Sequence, residues 1–309
     1  MLTDWAGQLE QQGQTSQAMA ALQEAVERDA TNGHALIHLG DLSYTTQGEF
    51  AKAIECWKRA YGHVSSAEWE AVSQRVAQAE RDGMIERTFS TLQTDHFAMR
   101  FEGSGQAGAV ASGLGTALEE AYARLSSSMN TRPPRLTVIV YTNQDFRRMA
   151  GRRDWAVGLY DGRIRLRLDE IGTAPAPQII AHELAHAFLA HACGPRIPLW
   201  IHEGFAQSQE PEAPLSDEQQ RLRTQITSGN SWVPLKWLDH HFQQPTDLND
   251  LERAYMQARV VMAFLIMRQG MGHVLDFITR VGKGTTVPLA FDQTLAPLQW
   301  AKIDQGILE

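Results

Sequence analysis

The sequence predicts an α+β protein in which an all-helical module, residues 1–86, precedes a mixed domain, residues 87–309. Three observations predict it. A pattern of small and apolar residues repeats near the N-terminus, alternating β-branched segments cluster between residues 95 and 168, and longer stretches with helical spacing come after residue 176.

The repeat comes first. Leu9, Gly13, Ala18, Leu22 and Ala25 recur thirty-five residues later as Tyr44, Gly48, Ala53, Trp57 and Ala60. Each unit reads as two short helices joined at the glycine, with small residues where the helices cross. The period resembles that of tetratricopeptide repeats, about 34 residues. Ser66 to Arg81 supplies a closing helix. Two such units bury little surface alone, so the module is expected to lean on the mixed domain, as a protein-binding surface or a structural cap. His34 and His38 lie four apart on a repeat helix but have no acidic partner at ligand spacing, which favours packing or surface roles.

A boundary is expected at residues 83–92. Asp95 to Phe101 alternates like a half-buried strand, Ala107 to Met129 is a small-residue-rich helix, and Arg135 to Tyr141 is a β-branched strand. Asn143 is placed as the cap of a short helix through Met149. Val157–Tyr160 and Arg163–Leu168 flank Asp161-Gly162, a two-residue hairpin signal. On the second of these strands Arg163, Arg165 and Arg167 share a face opposite Ile164, Leu166 and Leu168. They read as guards of an exposed edge or, less simply, as a feature that favours acidic peptides or polyanionic substrates. Helices are expected at 216–228, 250–269 and 271–281, with weaker helical signals to the end.

Between strands and late helices lies His182-Glu183-Leu184-Ala185-His186. On a helix, positions i and i+4 share a face, so both imidazoles aim at one point. Neutral imidazole is a good zinc ligand, and Glu183 is placed to reach a water rather than the metal. The surrounding Ile179, Ile180, Leu184, Ala187, Phe188 and Leu189 predict a buried helix after a stretch containing Pro175 and Pro177. An unligated pair of inward histidines would be poorly satisfied there. Sixteen residues separate His186 from Glu203, which lies in the apolar segment Pro198 to Ala206. His182, His186 and Glu203 therefore form a candidate Zn2+ site for one ion, with a fourth position for water. The expected chemistry is hydrolysis of a peptide bond by that water, with Glu183 as general base.

Composition agrees with this reading and narrows it. At 309 residues, 43% hydrophobic and 21% charged, the chain has room for one large or two ordinary cores. Its longest apolar run, Val260 to Met267, is too short to span a bilayer, and Met1 to Trp5 lacks the basic start of a signal peptide. The expectation is a soluble protein, cytoplasmic as written or exported with its leader absent from this sequence. The net charge of −8 argues against nucleic acid as the main partner. Residues 1–86 hold most of that charge, with six Lys/Arg against thirteen Asp/Glu. Cys56 and Cys193 fall in different expected domains, so no structural disulfide is predicted.

The order of Asp-His-Phe strand, Gly-Leu-Tyr-Asp-Gly hairpin, His-Glu-Leu-Ala-His helix and Pro-Leu-Trp-Ile-His-Glu-Gly segment resembles the peptidase MA-like family of gluzincin metallopeptidases over about residues 90–300. A repeat module in front is an arrangement associated with bacterial members. The resemblance implies a thermolysin-like zincin domain, with a small mixed sheet and a helical subdomain. It also implies His182, His186 and Glu203 as ligands and Glu183 as base. Aminopeptidase-type gluzincins carry a tyrosine at the start of a later helix, and Tyr255 is similar in place. That implies a phenol donor for the oxyanion, with His240 and His241 as rival donors. Gln257 and Ala258 depart from the Tyr-x-Lys-Gly pattern. Gln207 stands where such enzymes place a histidine-orienting aspartate. Two further readings remain open: a non-catalytic zinc scaffold that binds a protein partner through the repeats, and a zinc hydrolase of a non-peptide, cell-wall amide.

Overall fold

The computed structural model describes residues 2–11, 14–103, 106–150, 157–171, 176–194, 197–211 and 215–308. Gly13 and Pro175 lie outside the described residues, so the first repeat turn and part of the proline stretch do too. The fold is mixed, predominantly helical, with one five-stranded sheet. It divides into two compact units, residues 1–120 with 132–176, and residues 121–131 with 177–309.

The first unit opens with α1 (Leu2–Gln11), α2 (Thr15–Arg28), α3 (Gly33–Leu42), α4 (Phe50–Arg59) and α5 (Ser66–Ile85). The repeated positions point inward: Leu9, Ala18, Leu22 and Ala25 are buried, as are Tyr44, Ala53, Trp57 and Ala60. Alanines at the crossings let neighbouring helices approach, and the larger Leu22 and Trp57 fill the space between. Helix α3 runs on into a π turn, Ser43–Gln47, that carries Tyr44. Helix α5 begins with a capping box, Ser65 with Glu68, and runs four residues past the expected end.

Five strands complete this unit: β1 (Phe89–Gln93), β2 (Phe97–Glu102), β3 (Leu136–Tyr141), β4 (Gly158–Tyr160) and β5 (Ile164–Arg167). Their order is β1-β2-β3-β5-β4. The β1–β2 and β4–β5 pairs are antiparallel, and β2–β3 and β3–β5 are parallel. The parallel β2–β3 pair needs a crossover, which contains α6 (Gln106–Met129). Strand β1 overlaps the stretch expected to be a boundary and runs one residue past it. Its exposed Ser90 to Gln93 face gives no apolar alternation to read. The connection between β4 and β5 is three residues, Asp161 to Arg163, with Gly162 at φ +96° where a side chain would be strained. Helix α7 (Asn143–Ala150) is capped by Thr142, whose hydroxyl accepts from the Asp145 N–H, rather than by Asn143. The short α8 (Leu168–Ile171) ends the unit's described elements.

The arginines of β5 depart from both sequence readings. Strand β5 is flanked by β3 and β4, so it is not an edge. Arg163 and Arg165 are fully buried. Arg163 donates to Glu86, and Arg165 Nη2 donates to Asp82 Oδ2 at 2.6 Å. Arg165 Nε also reaches Asp161 at 3.0 Å, and Arg100 pairs with Glu86 at 3.0 Å. Tyr44 OH donates to Asp82, and Tyr141 OH donates to Glu86, each at 2.5 Å. Burial pushes both phenols up. Only Arg167 keeps partial exposure, paired with Asp169. A dense ionic network thus ties α5 and the π turn to β3 and β5, so strands and repeat helices share one compact unit.

The second unit contains α9 (Ala176–Cys193), α10 (Leu199–Ser208), α11 (Asp217–Thr227), α12 (Leu235–Gln243), α13 (Leu248–Gln269), α14 (Met271–Gly282), α15 (Val287–Thr294) and α16 (Ile303–Leu308). Helix α9 is buried on nearly every side from Ile179 to Leu189. Helix α10 packs closely on α13 because Gly204 has no side chain; a Cβ there would lie 2.6 Å from the Ala258 carbonyl oxygen. No helix among the described residues is long and apolar enough to cross a membrane.

Candidate metal centre

Helix α9 carries His182, Glu183 and His186, and α10 carries Glu203. With one turn between the histidines, both rings project from the same side of α9, their centroids 4.8 Å apart. Helix α10 brings Glu203 against them. Its Oε2 lies 3.2 Å from His182 Nε2 and 3.6 Å from His186 Nε2. One ligand atom from each of these three residues falls within 4.8 Å of the others.

The donor set fits a metal ion on two grounds. Glu203 Oε2 is buried facing the two imidazole Nε2 atoms, and neither contact has good hydrogen-bond geometry, so its lone pairs are poorly satisfied there. Both histidines also have their outer nitrogens engaged, which turns each Nε2 inward. His182 Nδ1 donates to Glu210 Oε1 at 2.8 Å, and His186 Nδ1 lies 2.6 Å from His202 Nδ1. If His186 Nε2 keeps its lone pair for an ion, His186 Nδ1–H is the donor and His202 carries its proton on Nε2.

The electrostatics agree. Burial works against a charge on His182, but hydrogen bonds with Glu203 and Glu210 and the nearby Glu183 outweigh it and push the ring up to about 10. Burial also opposes charge on Glu203, yet the two imidazoles hold it well below the usual carboxylate range. His202 goes the other way: burial and the adjacent His186 press it down to about 4, so it is neutral. Glu183 is 5% exposed, one residue along α9 from His182.

Other expected residues fall elsewhere. Tyr255 lies in the middle of the continuous α13 rather than at a helix start, with Phe242 edge-on at 5.0 Å. It lines a cleft that also contains Gln207, Glu210 and Arg259. Gln257 is fully buried and bridges the Val233 backbone, a packing role. His240 and His241 lie on α12, and His241 bonds Asp250 at 2.9 Å. His34 and His38 pair singly with Glu68 and Glu10.

Gln207 does not orient a ligand histidine, because Glu210 and His202 already occupy both Nδ1 atoms. The site gains a carboxylate there, which raises the basicity of the imidazole it holds. Arg259 in turn lies 3.7 Å from Glu210. Sequence reasoning missed all three residues. Glu210 lies past the end of α10, where helical spacing no longer predicts direction, and Arg259 is distant in the chain. Adjacency of His202 to Glu203 was the one local signal.

Comparison with family models, curated proteins and solved structures finds no match to the chain.

Proposed function

We propose that this protein is a zinc-dependent metallopeptidase with a thermolysin-like zincin domain preceded by tetratricopeptide-like repeats. The observation that supports it is the convergence of His182, His186 and Glu203 beside a buried Glu183 on the same helix. Two imidazoles and one carboxylate are a donor set suited to zinc that leaves a coordination position open. When bound, zinc supplies a Lewis acid that acidifies water and polarises a carbonyl.

The chain's own groups then have defined tasks. Glu183 takes the proton of the attacking water and delivers it to the leaving amine. Glu210 and His202 hold the two histidines in the tautomer that turns Nε2 inward. Tyr255, on the wall of the adjoining cleft, is the candidate donor to the developing oxyanion.

The test is cleavage of a diverse peptide mixture, read by mass spectrometry, for native protein and Glu183→Gln, with metal content measured in both. Native protein should cut. Glu183→Gln should retain metal and lose about 10²–10⁴-fold in rate. Full activity in Glu183→Gln would refute the base assignment. No cuts from zinc-loaded native protein would favour a scaffold or a hydrolase of cell-wall amides.

A further inference from the structure

The cleft beside the metal centre is built by three helices of the second unit. Gln207 and Glu210 come from α10 and the turn after it, and Ser216, Gln219 and Leu222 from α11 and its cap. Glu252, Tyr255, Met256 and Arg259 line it from α13. Its volume is about 430 Å³, enough for a long amino-acid side chain with part of its backbone. It adjoins the ligand set, because Glu210 is both a wall of the cleft and the hydrogen-bond partner of His182. On α10, Gln207 lies one turn beyond Glu203, on the same side of the helix.

The charges in this cleft do not balance. Among the described residues its charged lining is Glu210, Glu252 and Arg259. Glu210 is already engaged by His182 and by Arg259. Glu252 is exposed and has no ion-pair partner among the described residues. The remaining lining is mostly uncharged hydrogen-bonding groups, with Leu222 and Met256 as apolar surface for methylenes. A lysine or arginine side chain matches all of this, with an apolar stem, a cationic head and several donors. An acidic side chain would face Glu252 with no free cation among the described lining residues, since Arg259 pairs with Glu210.

We propose that this cleft is a substrate subsite that takes a lysine or arginine side chain, with Glu252 as the carboxylate that pairs with it. The proposal rests on the peptidase reading for its link to turnover, and it makes the preference basic. Arg163 and Arg165, two of the three arginines read as favouring acidic substrates, are buried in the first unit, and Arg167 pairs with Asp169, so they carry no such preference.

Two measurements separate this proposal from the reading beneath it. The first is calorimetric binding of short lysine-containing and glutamate-containing peptides of otherwise identical sequence to zinc-loaded Glu183→Gln. The lysine peptide should bind about fivefold tighter, the effect of one exposed charge pair. In Glu183→Gln combined with Glu252→Gln the difference should vanish, and with Glu252→Lys it should reverse. Equal binding of the two peptides, or a preference unchanged by Glu252→Gln, overturns the subsite whether or not the protein cuts peptides. The second is the residue profile of the cuts made by native protein. Enrichment of Lys and Arg at one position flanking the cut, lost in Glu252→Gln, supports the subsite. Cuts that depend on Glu183 but show no such enrichment overturn it and leave the peptidase standing. A lysine preference in binding with no cuts at all keeps the subsite and removes the peptidase.

Discussion

Raising the pH from 7 to 9 should tighten metal binding by about tenfold per pH unit, because an entering ion must displace a proton from His182. In the metal-free protein that ring is pushed up to about 10 by Glu203, Glu210 and Glu183, against the opposing effect of burial. At pH 7 it is therefore protonated by about three units, and freeing its lone pair costs about 4 kcal/mol. That cost falls by about 1.4 kcal/mol with each unit of pH. The sign for the metal-free fold is opposite. A raised histidine stabilises the fold fully below its ordinary value of about 6.5 and loses that contribution as pH rises toward 10. So metal-free stability should fall over the range in which metal affinity climbs. The assay is competition with a chelator at pH 7, 8 and 9, corrected for the chelator's own protonation. Calorimetry in buffers of different ionisation enthalpy would count about one proton released near pH 8. Replacing Glu210 by Gln removes one of the carboxylates that hold the proton, and should flatten the slope. A metal affinity independent of pH, with no proton released, would refute this account of the charge at His182.

Packing and charge give two further expected outcomes. Glu86→Gln removes the carboxylate shared by Arg163, Arg100 and Tyr141 in a fully buried setting, and should lower stability by about 3–5 kcal/mol in urea denaturation; a loss below about 1 kcal/mol would show that the network contributes little. Gly204→Ala drives a Cβ into the Ala258 carbonyl, so α10 must shift from α13. That should cost about 1–3 kcal/mol and weaken metal binding through Glu203, and unchanged thermal stability and metal affinity would count against a tight α10–α13 contact.

Much of the fold and of the candidate metal centre was legible locally. The His182–His186 pair obeys helical spacing, and the buried surroundings of α9 are written in its own apolar residues. The repeat positions were legible for the same reason, since Leu22 and Trp57 recur in register and both are buried. The β5 arginines were misread because an alternating strand normally turns its charged face to water. Nothing within Arg163 to Leu168 says that Asp82 and Glu86, some eighty residues earlier, meet that face. The matching signal was the pair of spacings: carboxylates at i and i+4 at the C-terminal end of α5, guanidiniums at i and i+2 at the start of β5, each presenting two like charges on one side. Strand β1 was missed because an exposed edge strand has no core face to pattern.

The two charged clusters of this chain differ in a way that bears on what each is for. In the first unit, Asp82, Glu86 and Asp161 meet Arg100, Arg163 and Arg165, three against three, and the arrangement is closed by Tyr44 and Tyr141. Charges that cancel within reach of one another suit a structural tie and leave no demand for an ion. In the second unit, Glu183, Glu203 and Glu210 surround two histidines, and among the described residues Arg259 is the fixed cation paired with them. With the carboxylates ionised and the histidines neutral, that cluster is left two charges negative. One divalent ion would cancel the excess. Without it, the raised affinity of His182 for a proton restores only half of the balance. A buried pocket with that deficit is costly unless a cation belongs to it. This charge count, independent of any sequence motif, is a second support for the proposal that a divalent cation binds between His182, His186 and Glu203.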